Sequence, residues 1–302
     1  MAAGQRFSHS IRTRLALDEV GNWALDRADG TITHDFSGWD NHGTIHLGTG
    51  GNTNLAAAFV PGVHGQAMSF DGVDDRVNVP HTDILEERVF GISTVSTLEA
   101  WAHPITWINW ASIVHKSPGN CSGNHTIGMS ANDSSGFVCT MGAGLLPPDC
   151  NPPGSNINIT NRPPLNRWYH IVCTADGARL RMFINGIQIG AGIPIANITV
   201  TRRTTTAPII IGRNGISDSF NGHIDEVRIF SAAVPMSYIQ KRYVEGVKSL
   251  ASNGGITQEE KEMRIAELRN SGQLVIDLDA ALAGPIDFSV YNKYLETLAF
   301  GQ

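Results

Sequence analysis

Charge, cysteine and long apolar runs are all scarce in this sequence of 302 residues. Charged residues make up 17% of it, and the net charge is -6. Proteins that bind nucleic acid need a basic face, so this balance argues against that class. No apolar run approaches the roughly 18 residues that predict a membrane-spanning helix. The first ten residues also lack the apolar core of a signal peptide.

The four cysteines do not suggest a disulfide framework. Cys121, Cys139 and Cys150 lie in one loop-rich stretch, residues 117–165, which leaves room for one disulfide within it. Cys173 lies in an alternating apolar run, where a small buried thiol is the interpretation that we favour. No two cysteines have the spacing of zinc ligands, so a zinc site is not expected.

Glycine, by contrast, is abundant, at 32 residues, and it accompanies alternating segments. One such segment runs from Gly65 to Pro80 and contains the turn Phe70-Asp71-Gly72-Val73-Asp74-Asp75; another runs from Gly222 to Phe230. Alternation of apolar and polar residues around Gly and Asp is typical of half-buried antiparallel strands. Asn185-Gly186 predicts a two-residue type I′ hairpin turn.

The order and spacing of these segments resemble the LamG-like (concanavalin A-like lectin) jelly-roll family. The stretch from Asp35 to Thr44 is similar to the family's opening Asp-Ser-Ser-Gly-Asn-Gly-Asn-His-Gly-Thr loop, with Phe36 replacing the first Ser and Trp39-Asp40 replacing Asn-Gly. The resemblance covers about residues 22–246. It implies an all-β fold, an antiparallel two-sheet jelly-roll sandwich, in a family that mostly binds other molecules.

Three regions are expected along the chain. Residues 1–20 form an N-terminal arm, 21–246 the LamG-like jelly-roll domain, and 247–302 a C-terminal extension. Within the extension, Thr257-Gln258-Glu259-Glu260 is a capping box that predicts a helix over about 257–269, and an apolar run predicts a strand over about 273–279. The extension is too small to bury a core alone, so we expect it to dock on the sandwich, a neighbouring copy or another partner.

Catalysis has little sequence support. The chain contains no Gly-X-Ser-X-Gly, no His-Glu-X-X-His and no phosphate-binding loop. Glycosidases on this fold would need two carboxylates flanking the sugar bond, typically as Glu-X-Asp-X-X-Glu on one strand, and no such run occurs. Glu99 is alone on its strand, and the adjacent Asp225 and Glu226 are expected to face opposite sides of their sheet. We therefore expect no enzyme activity.

A structural calcium ion is the one cofactor that the resemblance implies. Related jelly rolls often hold calcium where the opening loop meets the last core strand, and calcium prefers hard oxygen ligands. The candidates here are Asp35, Asn41, the Gly43 carbonyl and Asp225. The alternative is that Asp35 and Asn41 only shape turns through side-chain hydrogen bonds. The acidic turn formed by Asp71, Asp74 and Asp75 is interpreted as turn-stabilising.

Tryptophans and the two tails supply the candidate contact residues. Sugar rings stack on exposed aromatic rings, and Trp39, Trp107 and Trp110 stand in loops where either glycan stacking or a subunit interface is expected. The family's core positions hold the other tryptophans, Trp23, Trp101 and Trp168. Candidate assembly residues lie in the tails: Arg6, Arg12, Arg14, Phe288, Tyr291 and Tyr294.

These features favour a non-catalytic structural or binding protein on a virion surface. The hypothesis is a phage or virus head decoration protein, or a fibre component, made in the host cytoplasm without a signal peptide. Its partners would be itself or a capsid protein, with a lectin-like face toward cell-surface glycans; membrane insertion and nucleic-acid binding are not expected. The alternative is a carbohydrate-binding module of a secreted or cell-surface protein, and a third, less favoured, is a glycoside hydrolase.

Overall fold

The computed structural model describes residues 19–51, 53–90, 95–116, 128–140, 156–159, 161–195, 206–213 and 218–285. The predicted assembly residues of both tails lie outside these ranges. Among the described residues, no helix is long and apolar enough to cross a membrane.

Two antiparallel eight-stranded sheets confirm the predicted sandwich. Sheet A has the order β14-β13-β12-β7-β16-β5-β4, with β1 also paired to β16. Its strands are β1 (Glu19–Trp23), β4 (Phe59–Pro61), β5 (Gln66–Asp71), β7 (Val95–Thr106), β12 (Tyr169–Asp176), β13 (Arg179–Ile184), β14 (Ile187–Pro194) and β16 (Asn221–Phe230). Both alternating segments therefore lie side by side, because β16 pairs with β5.

Sheet B has the order β11-β10-β9-β8-β15-β6-β3-β2. Its strands are β2 (Ile32–Thr33), β3 (Gly43–His46), β6 (Arg76–Val79), β8 (Ala111–Lys116), β9 (Gly128–Asn132), β10 (Gly136–Thr140), β11 (Asn156–Asn158) and β15 (Ile209–Ile211). Three of these strands lie within residues 117–165, so the expectation of one long irregular stretch there was wrong.

The inward residues of both sheets form the main hydrophobic core. On sheet A these include Leu98 and Ala100 of β7, and on sheet B Val77 and Val79 of β6, all fully buried. Each large aliphatic side chain that is removed from water here stabilises the fold by about 1.5–3 kcal/mol. The period-2 alternation that the sequence shows is thus the pattern that fills the sandwich.

A disulfide crosses this core. It joins Cys139 on β10 of sheet B to Cys173 on β12 of sheet A, with 5.8 Å between the two Cα atoms. Packed sheets usually lie about 10 Å apart, so the two strands approach each other closely at this point. The interpretation of Cys173 as a buried free thiol was wrong, because its partner is a cysteine of the opposite sheet. Cys121 and Cys150 lie outside the described residues.

Helices cover the outer face of sheet A. The helical layer consists of α2 (Met236–Ser252), α3 (Gln258–Asn270) and α4 (Leu278–Ala283); a single turn, α1 (Asp83–Leu85), and a π-helical turn, Glu86–Phe90, lie between β6 and β7, and a 3-10 turn, Leu55–Ala58, precedes β4. A second hydrophobic cluster, including Trp101, Trp168, Tyr243 and Leu268, fills the space between the layer and the sheet.

The close packing of α2 against sheet A depends on a glycine. A Cβ at Gly246 would lie 2.1 Å from the Trp101 ring, so only glycine allows this approach. Since α2 continues through residue 252, the predicted boundary at 246 falls inside a helix. The described part of the extension docks on the protein's own sandwich.

The extension contains the predicted helix but not the predicted strand. Thr257 caps α3 by accepting a hydrogen bond from the Glu260 amide at 3.1 Å, as the capping box predicts. Residues 273–277 form no strand, and side-chain amides bond part of this segment: Gln240 donates to the Gln273 carbonyl at 2.9 Å. Gln240 accepts from the Val275 amide at 2.9 Å, and Gln273 pairs through its side chain with both backbone groups of Gln188 on the edge strand β14.

The Asn185-Gly186 hairpin between β13 and β14 confirms the type I′ prediction. Both residues have positive φ, 54° and 78°, and Ile184 pairs directly with Ile187 across the turn. Local turn chemistry therefore fixes the register of this edge of sheet A.

Candidate functional site

The opening loop holds Asp35 and Asn41 together, but in a hydrogen-bonded arrangement. Asp35 Oδ1 accepts from the Asn22 and Ser37 amides at 2.8 and 2.9 Å. Its Oδ2 accepts from the Ser37 hydroxyl at 2.7 Å and the Asn41 amide at 2.9 Å. Both oxygens thus already accept two hydrogen bonds, which uses the four lone-pair positions of a carboxylate.

Asn41 is likewise occupied. Its Nδ2 donates to the Val20 carbonyl at 2.7 Å, and its Oδ1 accepts from the Thr82 hydroxyl at 2.8 Å. Gly43 begins β3 and pairs with Thr33. These contacts tie the opening loop to β1, which is the turn-shaping alternative that the sequence left open.

Asp225 makes its contacts elsewhere. Its Oδ2 accepts from the Val63 and His64 amides at 2.7 and 3.2 Å, while Oδ1 has no hydrogen-bond partner. Neither a hydrogen bond nor an ion pair among the described residues joins it to Asp35 or Asn41. The residues proposed for the family-type calcium ion therefore do not fit one as they stand, and calcium there stays a prediction without geometric support.

The expectation that Asp225 and Glu226 face opposite sides of sheet A was wrong. The pairing of β16 with β7 shifts register between Asp225 and Arg228, and Glu226 has a φ of 51°. A bulge of this kind places two consecutive side chains on one face. Both carboxylates consequently face the helical layer, and no glycine in the sequence signals the bulge.

Between sheet A and α2 lies an ionic network, formed by Glu19, Glu99, His170, Glu226, Arg228, Tyr238, Arg242 and Glu245. Arg242 is its centre: its guanidinium donates to Glu226 at 2.8 Å and to Glu99 at 3.4 Å. Glu99 also accepts from His170 at 3.0 Å. The side chains of Glu99 and His170 are fully buried.

On the outer face of sheet A, the pKa of a carboxylate depends on whether a cationic side chain is paired with it. Burial alone would raise the pKa of Glu99, but the hydrogen bond from His170 and the charge of Arg242 outweigh it and lower the pKa to about 2. Burial, and then repulsion by Glu226, raise the pKa of Asp225 well above its ordinary value. Burial also raises the pKa of Asp26 to about 7 and lowers that of His64 to about 4.

Two of the three candidate contact tryptophans have packing partners. The Trp107 ring lies edge-on to Phe137, with 5.1 Å between ring centroids, and it packs against the main core. Trp39 also packs against that core, and the Arg88 guanidinium lies 5.0 Å from its ring centroid. Trp23, Trp101 and Trp168 are buried, as their interpretation as packing residues predicts.

Trp110 differs from these. It is half-buried directly before β8, and its φ of 54° places a bulky residue in the left-handed region. Such backbone strain often accompanies ligand sites. Beside it, the exposed Asn109 accepts a hydrogen bond from the Asn132 side chain at 3.3 Å, which orients an amide next to the indole. We call Asn109, Trp110 and Asn132 the Trp110 corner.

With this geometry described, comparison with known proteins defines the class. The profile of the concanavalin A-like lectin/glucanases superfamily matches residues 71–240, more than half of the sequence. The chain belongs to this superfamily. No curated protein matches the sequence significantly.

Solved structures agree on the fold. Domain 4 of AbnA, an extracellular arabinanase from Geobacillus stearothermophilus in complex with arabinotriose, has a TM-score of 0.53 at 16% identity, over 74% of this chain and 97% of that one. The binding domain of Paraclostridial Mosquitocidal Protein 1 has a TM-score of 0.56 at 16% identity, over 77% of this chain and 53% of that one. Trypanosoma rangeli sialidase has a TM-score of 0.51 at 14% identity, over 74% and 32%. The chain therefore spans about half of the toxin domain and a third of the sialidase.

Proposed function

We propose that this protein is a non-catalytic recognition protein of lectin type. The observation that carries the proposal is the ionic network, because it pairs and covers Glu99 and Glu226, two of the carboxylates weighed as catalytic candidates from the sequence. Glu99 and Glu226 are paired with Arg242 beneath α2 and are at most 1% exposed. A glycosidase needs two carboxylates that reach both sides of a sugar bond, and these two cannot reach a substrate.

The proposed ligand is a glycan, and the proposed contact is the Trp110 corner. An indole offers a flat apolar face to the C–H groups of a sugar ring, and a neighbouring amide can form hydrogen bonds with the hydroxyl groups of the sugar. The corner combines the Trp110 indole with the exposed amide of Asn109, which the buried Asn132 orients. The relatives give support of the same kind, since the arabinanase domain is in complex with arabinotriose and the mosquitocidal protein's domain is named a binding domain.

The proposed setting is the surface of a virus or phage particle. What supports it is the sequence of the two tails: the N-terminal arm carries Arg6, Arg12 and Arg14, and the C-terminal end carries Phe288, Tyr291 and Tyr294. In this proposal the two tails attach the module to neighbouring copies or to a capsid protein.

Glycan retention tests the recognition function. The full chain is applied to a glycan array and to polysaccharide columns, and release of reducing sugar is measured in parallel. We expect retention without hydrolysis. Trp110→Ala should abolish retention and Trp110→Phe should keep part of it, while Trp39→Ala serves as the matched tryptophan control. Hydrolysis that Glu99→Gln removes, or equal retention of Trp110→Ala and wild type, contradicts the proposal.

Particle assembly tests the setting separately. The full chain and a version trimmed to residues 19–285 are compared by light scattering and by co-sedimentation with capsid shells. We expect only the full chain to multimerise or to bind shells. Identical monomers in both cases contradict the particle role but leave the glycan proposal intact.

A further inference from the structure

The acidic turn of Asp71, Asp74 and Asp75 joins the two sheets, because Asp71 ends β5 and Arg76 begins β6. One oxygen of each carboxylate has a backbone partner. Asp71 Oδ1 accepts from the Val73 amide at 2.7 Å, Asp74 Oδ2 from the Thr49 amide at 2.9 Å, and Asp75 Oδ2 from the Asp71 amide at 3.2 Å. These bonds confirm the turn-stabilising role predicted from the sequence.

That role leaves half of the carboxylate oxygens unexplained. Asp71 Oδ2, Asp74 Oδ1 and Asp75 Oδ1 are all buried and have no hydrogen-bond partner. Asp75 is fully buried, with 0% of its surface exposed. One oxygen from each of the three residues lies within 4.8 Å of the others. Unpartnered buried carboxylate oxygens are costly, and three together indicate a missing partner.

No basic side chain supplies that partner. None of the ion pairs in the described part of the chain includes any of the three aspartates. Arg76, which follows the turn in sequence, donates to the backbone carbonyl of Asp74 at 3.4 Å rather than to a carboxylate. The three carboxylates therefore have backbone amides, and no cationic side chain of the described residues, to offset their mutual repulsion.

The loop that contains Gly48 and Gly51 passes close to the carboxylates of the turn. A Cβ at Gly48 would lie 1.9 Å from Asp74 Oδ1, and one at Gly51 would lie 2.4 Å from Asp71 Oδ2. Both of these oxygens are among the unpartnered ones. Only glycine allows the loop to pass at this distance, so the loop and the turn together enclose the oxygens.

We propose that Asp71, Asp74 and Asp75 bind one divalent cation of the calcium type, which links the two sheets at the acidic turn. Calcium takes carboxylate oxygens at about 2.3–2.6 Å, so two of its ligands can stand up to about 5 Å apart, and the observed spacing lies within that reach. Calcium takes six to eight oxygen ligands, so the proposal requires water or backbone carbonyls for the rest of the shell. This site is separate from the residues Asp35, Asn41, Gly43 and Asp225.

The test is a calcium titration of the full chain after treatment with a chelator. Isothermal titration calorimetry should show one saturable site in the millimolar range or tighter, and calcium should raise Tm because it binds only the folded state. Asp75→Asn should weaken binding at least about tenfold and remove the rise in Tm. If Asp75→Asn does not fold, Asp74→Asn replaces it and should weaken binding in the same way.

Two controls locate the ion. Asp133→Asn changes an exposed aspartate in the turn between β9 and β10 and should leave calcium affinity unchanged. Asp225→Asn should also leave it unchanged. The proposal is overturned if wild type shows no binding heat and no rise in Tm with millimolar calcium. It is equally overturned if Asp225→Asn abolishes binding while Asp75→Asn retains it.

Discussion

The ionic network and the acidic turn are both buried and both rich in carboxylates, yet they balance charge in opposite ways. In the network, Arg242 and His170 stand directly against Glu99, and burial is compatible with ionisation. In the turn, the aspartates have only backbone amides and no cationic side chain as partners. The comparison teaches that a buried carboxylate cluster reports function only after its counter-charges are identified.

Removing the central cation of the network should make it resemble the turn. Arg242→Ala leaves Glu99 and Glu226 buried without their shared partner, and breaking a buried pair on one side costs about 3–5 kcal/mol. Urea denaturation measures the loss. Lys241→Ala, at an exposed position on the same helix, is the control and should change stability little. Equal stability of both variants would show that the network is dispensable.

A second change leaves both the ionic network and the acidic turn intact. Replacing Cys139 and Cys173 by Ala removes a cross-link that spans 34 residues and should lower the free energy of unfolding by about 2–4 kcal/mol. Because the disulfide contacts neither cluster, calcium affinity should not change. A denaturation midpoint that is the same with and without the bond contradicts this expectation.

The third prediction disturbs the layer that covers the network. Gly246→Ala drives a methyl group into the Trp101 ring and should cost about 1–3 kcal/mol, since overpacking displaces α2. Ser252→Ala, exposed at the end of the same helix, is the control in thermal denaturation. A higher Tm for Gly246→Ala, as its better helix propensity alone would give, would falsify the close seating of α2.

The smallest effect should be the dependence on pH, at most about 1.4 kcal/mol per pH unit for each proton. The folded-state pKa of Glu99 is below its ordinary 4.5, at about 2, so its stabilisation exists above pH 4.5 and is lost as the pH falls from about 4.5 toward 2. The folded-state pKa of Asp26, about 7, is above its ordinary 3.8, so the stability of the protein instead improves as the pH falls from about 7 to 3.8.

Two variants test these opposite dependences of stability on pH. Asp26→Asn should be more stable than wild type at neutral pH, with a difference that disappears as the pH falls from about 7 toward 4. Glu99→Gln should be less stable at neutral pH, with a gap that narrows only below about 4.5. Stability differences that stay constant across pH contradict both assignments.

The sequence predicts the sandwich well because the patterns that indicate strands, turns and helix caps are local. Alternation, the Asn185-Gly186 turn and the Thr257 cap each depend on neighbouring residues, and all three appear as expected. The bulge at Glu226 has no glycine to announce it, and the Cys139–Cys173 bond joins strands of different sheets. Neither could be read from spacing along one segment.

The second hydrophobic cluster also has a signal in the sequence. Trp101 alternates with Ala100 and Ala102, which face the main core, so it must lie on the outer face of β7. A tryptophan and a histidine, Trp101 and His170, at paired outer positions of central strands indicate a covered face. From this pattern the helical layer could have been expected, but not the partner choices of Arg242, which depend on the tertiary position of α2.

Gln273 has a consequence for how copies of this protein can meet. The outer edge of a sheet is a template on which a strand from another molecule can add, with fibres as one outcome. At β14 the side chain of Gln273 already binds the N–H and the C=O of Gln188 and so imitates one residue of an added strand. The glutamine side chain thus occupies one hydrogen-bonding position of this edge, and a strand from another copy would have to displace it to pair at Gln188.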